Sequence, residues 1–172
     1  RISGYYYPDS TIAGFSHTHL SGTGAGDLYD ISYMPVTLPY REAEAPLGIH
    51  SKFRHSDEEA SAGYYRVLLK DYNINVELTA TERCGIQRYT FPKAQSAVFL
   101  NLKKAMNWDF TQDSHIEVVD SCTIQGYRFS DGWARGQRVF FRTRFSKPFR
   151  SSEIDTTAII QDGKTIGTAY VA

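Results

Sequence analysis

"INVELTATE", Ile74 to Glu82, decides the fold class. Ile74, Val76, Leu78 and Ala80 alternate with Asn75, Glu77, Thr79 and Thr81, so an extended chain carries one apolar and one polar face. The flanks repeat the theme. "YRVLLK" (65–70) comes before it across "DYN" (71–73), and "IQRYTF" (86–91) follows across "CG" (84–85). Both connections suit tight turns. Further strand-like runs follow: "SAVFLNLK" (96–103), "HIEVVDS" (115–121), "CTIQGYRFS" (122–130) and "QRVFFRTRFS" (137–146). "TTAIIQDGKTIGTAYVA" (156–172) reads as a closing hairpin on Asp162-Gly163, a pair suited to a turn with two positive φ angles.

Residues 1 to about 63 are irregular and rich in Gly, Ser, Pro and His. The best helical signal is "DEEASAGYY" (57–65), read as one short turn capped by Ser56 with Glu59 three residues later. His55, Asp57, Glu58 and Glu59 are read there as a solvated helix start and not as an acid–base pair. Many antiparallel strands with little helix predict an all-β chain, an antiparallel β-sandwich.

The 172 residues fit one domain, and 41% hydrophobic content is enough for a core. Lys plus Arg and Asp plus Glu number 19 each, so no global charge draws the chain to nucleic acid or an anionic membrane. No run reaches the roughly 18 apolar residues of a spanning helix. Arg138, Arg142 and Arg144 among aromatics read as an ion-paired wet face. Cys84 and Cys122 are expected to be buried thiols; sequence leaves their pairing open. "TIGTAYVA" stops within an apolar run, which reads as a chain excised from something longer.

"GFSHTHLSGTGAGDLYD", Gly14 to Asp30, fits neither period. His17 and His19 are two apart and share a side in extended backbone. Two imidazoles so placed can hold a metal, bond a polar ligand, or join one hydrogen-bond network. Gly22, Gly24 and Gly26 let backbone approach a ligand closely. A phosphate loop is excluded because its lysine and helix context are missing. Zinc lacks two further ligands at standard spacing. A rigid loop bonding its own backbone remains open beside a binding loop. Trp133 in "DGWARGQ" is either a packed turn residue or a sugar-stacking platform.

"IAGFSHTHLSGTGAGDLYDI", "HSDEEASAGYYRVLL", "VELTATERCGIQRYTFP" and "FSKPF", in that order, resemble glycoside hydrolase family 92, bacterial calcium-dependent exo-α-mannosidases. The resemblance covers essentially all of 1–172 and implies the N-terminal β-sandwich domain, a galactose-mutarotase-like super-sandwich. A C-terminal (α/α)6 domain of the same parent chain would then supply the catalytic carboxylates and calcium ligands. It implies no catalytic residue and no metal in these residues, and a fragment inactive by itself. Mannose-containing glycans would be the ligands, in a periplasmic or secreted setting. His17, His19, Ser21, Gly22, Thr23, Gly24, Asp27 and Trp133 would line the substrate pocket or the domain interface. The chain departs from the family's usual residues at Ala25, Ala62 and Gln87. A stand-alone carbohydrate-binding or adhesion sandwich is the alternative.

Overall fold

A computed structural model describes residues 5–19, 28–38, 48–103, 105, 108–150, 152–155, 160–161, 164–165 and 168–171; the side chains of His19 and of 151–172 are not among them. The strands run β1 (Thr11–Ile12), β2 (Thr18–His19), β3 (Leu28–Asp30), β4 (Ser32–Thr37), β5 (Ser51–Lys52), β6 (Glu58–Ser61), β7 (Tyr64–Leu69), β8 (Ile74–Ala80) and β9 (Gly85–Thr90). Then come β10 (Ser96–Asn101), β11 (Phe110–Asp120), β12 (Thr123–Asp131), β13 (Gln137–Arg144), β14 (Ser152–Asp155), β15 (Ile160–Gln161), β16 (Lys164–Thr165) and β17 (Thr168–Val171). Every pairing with a defined register is antiparallel. The residues form two compact units: Pro8–Phe15 with Met34–Ala97, and Arg1–Tyr7 with Ser16–Tyr33 and Val98–Ala172.

The first unit is built on the meander β6-β7-β8-β9. Val67 faces Val76 and Leu69 faces Ile74 across β7 and β8. All four are fully buried, each contributing about 1.5–3 kcal/mol against exposure. The opposite face of β8 carries charge. Glu77 sits between Arg66 on β7 and Arg88 on β9. Arg88 Nε donates to its carboxylate at 2.6 Å and the Tyr64 hydroxyl at 2.9 Å. The alternation expected from "INVELTATE" is therefore present, though burial fades from Leu78 towards Ala80 at the strand's end.

The helical expectation at Ser56–Glu59 is corrected. His55–Asp57 is a single 3-10 turn without a side-chain cap, and Glu58–Ser61 is strand β6. Gly63, at φ +76°, closes a two-residue hairpin between Ser61 and Tyr64. Ala62 takes the first central position, where a type II turn accepts proline. The carboxylates here have partners: Glu59 is ion-paired to Arg66 at 3.1 Å and Asp57 to Lys70 at 3.8 Å, and Glu58 is hydrogen-bonded to the His55 ring.

β4 was not legible as a strand. Ser32 to Val36 are all buried, so the run does not alternate, and it contains Pro35. A proline fits because β4 ends the sheet order β14-β17-β10-β4, where one side of the backbone needs no ladder partner. The cysteines differ too. Both are free, but Cys84 is exposed and Cys122 half-buried, because each lies in a turn.

The second unit is organised by β11-β12-β13. Gly126 on β12 lies so close to β11 that a Cβ would sit 1.9 Å from the His115 carbonyl oxygen. Exposure on β13 alternates: Arg138, Phe140, Arg142 and Arg144 face solvent, with the Arg138 guanidinium 5.2 Å from the Phe129 ring centre. Gln161 pairs with Lys164, as the expected closing hairpin requires; Asp162 and Gly163 lie outside the described residues. Thr168–Val171 instead joins β10 and β14.

Bonds from Arg88 and Tyr64 hold the Glu77 carboxyl down at about 2, against a usual 4.5. A carboxyl depressed on folding contributes stability above its unfolded pKa, and loses it as pH falls through the folded value. Titration of Glu77 by NMR should give a midpoint of about 2, moving towards 4.5 in Arg88→Met. The wild type should then lose stability more steeply than the variant as pH falls from 4.5 towards 2.

Candidate functional site: the braced histidine hairpin

The polar run before Leu20 and the stretch after Asp27 form the two stems of a hairpin. Thr18 pairs with Asp30 and His19 with Leu28, with a bulge between Thr18 and His19. The simple alternation expected of His17 and His19 is interrupted by that bulge. The His17 amide donates to the Asp30 carbonyl at 3.0 Å. The His17 ring bonds the Ile31 carbonyl oxygen through Nδ1 at 3.0 Å and meets Tyr33 edge-on at 5.5 Å. A carbonyl only accepts, so Nδ1 carries the proton and Nε2 is left as the nitrogen able to meet a partner. His17 is exposed. Ser21, Gly22, Thr23, Gly24 and Asp27 lie outside the described residues, as does the His19 side chain.

Beneath this hairpin lies a buried ionic network that sequence reasoning missed. Arg128, on β12, is fully buried. Its Nη1 donates to Asp30 and its Nη2 to Asp109, both with buried side chains. Its Nε reaches the Leu102 carbonyl at 3.1 Å and Thr111 Oγ1 at 2.9 Å. Thr18 Oγ1 and Gln137 Nε2 donate to the other Asp30 oxygen. Ser130 Oγ donates to Asp109 at 3.1 Å. One cation thus serves two carboxylates. Burial pushes the Asp109 carboxyl above its ordinary value, opposed by the bonds from Arg128 and Ser130. A signal existed: Arg128 falls on the inward phase of "TIQGYRFSD", with Ile124 and Ser130. A charge at an inward strand position needs a buried partner.

The network holds backbone in unfavourable geometry. Leu28, Tyr29 and Ile31 have φ of 71°, 82° and 53°. Such residues cost about 1–3 kcal/mol each and persist where surroundings over-determine them, commonly at functional sites.

Among the described residues no three His, Cys, Asp or Glu side chains are grouped to hold a metal. The buried carboxylates, Asp30 and Asp109, are occupied by Arg128. These residues do not fit a calcium site.

Of the two readings left open for Trp133, a packed turn residue does not hold, since the ring is exposed in the β12–β13 turn. Trp108, which sequence reasoning did not single out, lies beside it, with ring centres 6.1 Å apart.

The family model for the glycosyl hydrolase family 92 N-terminal domain matches residues 1–170. Among solved structures, the family GH92 α-mannosidase BT3965 from Bacteroides thetaiotaomicron, in complex with mannoimidazole, is similar at 30% identity and a TM-score of 0.85. The match covers 99% of this chain and 25% of that one. The GH92 family glycosyl hydrolase ccman5 shares the fold at 21% identity and a TM-score of 0.71, over 98% of this chain and 25% of that chain. The chain thus spans a quarter of the length of these relatives. No curated protein matches it. The fold is the all-β antiparallel sandwich expected from sequence.

Arg128→Met should strand two buried carboxylates and cost about 3–5 kcal/mol of unfolding free energy in a denaturant titration. Amide exchange should rise at Thr18 and Ile31 before it rises in the β6–β9 meander. Uniform loss of protection would show that the network is not specific to the hairpin.

Proposed function

Because the chain belongs to glycosyl hydrolase family 92 as its N-terminal domain, we propose that it is the non-catalytic sandwich of a calcium-dependent, inverting exo-α-mannosidase. Its parent chain would continue into an (α/α)6 domain bearing the catalytic carboxylates and the calcium ligands. The observation that carries this role is the His17 ring, fixed through Nδ1 to Ile31 and exposed at the stem of the glycine-rich loop. The loop then presents donors and acceptors to a mannose-containing glycan and to the helical domain.

In an inverting glycosidase one carboxylic acid protonates the leaving oxygen and a carboxylate activates water, the two being roughly 6.5–9.5 Å apart. Neither group is assigned to this chain. Its own contribution is orientation. Hydroxyls bonded by a fixed imidazole and by loop backbone hold the sugar ring where those two groups act. The parent would work in the periplasm or outside the cell. The alternative, a carbohydrate-binding sandwich without catalysis, is favoured by one observation, the exposed Trp108–Trp133 pair.

Two measurements test the reading. The 172 residues alone should not hydrolyse aryl α-mannosides, with or without calcium; calcium-dependent turnover by the pure chain refutes the division of labour. In the parent enzyme, His17→Ala should lower kcat/KM about tenfold, the equivalent of one bond of roughly 0.5–1.5 kcal/mol. His19→Ala is expected to act likewise. A lower melting temperature with unchanged kcat/KM in both variants would assign the histidines to bracing alone.

A further inference from the structure

Trp108, Phe110, Asp131, Gly132, Trp133 and Arg135 line an open depression of about 540 Å³ at one end of the β11-β12-β13 sheet. Its walls are unusual for a protein surface. Trp108 is 58% exposed, Trp133 67% and Phe110 48%. The two indoles are inclined at 58°, so they form a V and do not stack away each other's faces. Indoles gathered only to pack would be turned inward, since each buries a large apolar area.

The cleft is anchored from both sides. Trp108 immediately precedes Asp109, whose buried carboxylate is tied to Arg128 and Ser130. Phe110 is registered opposite Asp131 in the β11–β12 ladder. Asp131 accepts from the Gly136 amide at 3.3 Å and from Gln112 Nε2 at 3.4 Å. Gly136 supplies the positive φ, +62°, that closes the turn carrying Trp133. A platform already ordered loses little entropy on binding.

We infer that this cleft binds a neutral pyranose of a glycan, its apolar C–H face against the indoles and its hydroxyls on Asp131 and Arg135. Three features select that chemistry. The ligand must be flat and apolar on one face to use the V. It must carry both donors and acceptors, because the rim offers a carboxylate and a guanidinium. It must be uncharged, since those two rim charges cancel; a nucleic acid would need unbalanced cations along its phosphates. Each Asp131 oxygen retains a lone pair after its present bond. The inference takes only the choice of mannose from the function proposed above.

Isothermal titration calorimetry of the 172-residue chain with methyl α-mannopyranoside, yeast mannan and cellohexaose tests it. Mannan should bind saturably, and the monosaccharide with a Kd on the order of millimolar. Trp108→Ala and Trp133→Ala should each weaken mannan binding at least about tenfold. Trp133→Phe, which keeps an aromatic face, should stay within about threefold of wild type. The melting temperature is expected to be unchanged, because both indoles lie at the surface. Loss of binding in the tryptophan variants is read by calorimetry and loss in His17→Ala by kcat/KM of the parent enzyme, so the two readings fail separately. Cellohexaose binding with the same tryptophan dependence would support the cleft and remove mannose as its ligand. No saturable binding of any probe, or binding that survives both alanine variants, overturns the inference. So does a chain that binds no sugar but self-associates through Trp133, which would make the cleft a protein-docking surface.

Discussion

Arg128 is the constraint on which the second unit depends. A guanidinium removed from water must have its charge met and its N–H groups satisfied, and here that requires groups from two stretches far apart in sequence: Asp30, and the set Leu102, Asp109 and Thr111. The same carboxylate that answers Arg128 also receives Thr18 and Gln137. A segment whose own residues favour neither helix nor strand is therefore fastened to the centre of a regular sheet. The fastening explains how Leu28, Tyr29 and Ile31 are kept at positive φ. It also ties two surface features to one buried charge, since Asp30 lies at the histidine hairpin and Asp109 beside Trp108.

The sheets were readable because their residues alternate. β8 shows it in Ile74 and Val76 against Asn75 and Glu77, and β13 along its whole length. β4 was not readable, because burial of every residue from Ser32 to Val36 erases the period and Pro35 argues against a strand. β6 reads as a helix start from sequence because serine, acids and alanine resemble a capped turn. Gly63 and the pairing with Tyr64–Val67 decide otherwise. Local propensity was overruled by a neighbour that sequence does not place.

The site was legible only in outline. The loop's composition marks it as special, and the His17 ring is held by one bond to the Ile31 carbonyl. Its bracing was invisible, because Asp30 and Arg128 are 98 residues apart. Trp133 stands out in its turn, but a lone tryptophan carries little meaning without Trp108 beside it. Their approach follows from Phe110 meeting Asp131 in the β11–β12 register, a long-range pairing.

Trp108 and Trp133 are the only tryptophans in the chain. All of its indole emission therefore originates from one solvent-facing corner, and none from a core. Two consequences follow for optical work. Denaturation transfers neither ring from oil to water, so emission wavelength is a poor gauge of unfolding, which must be followed through tyrosine or the backbone. Conversely, two rings 6.1 Å apart are close enough for their excited states to couple, giving the near-ultraviolet spectrum a paired signature of their mutual angle. The protein carries a label for that corner which no chemist had to attach.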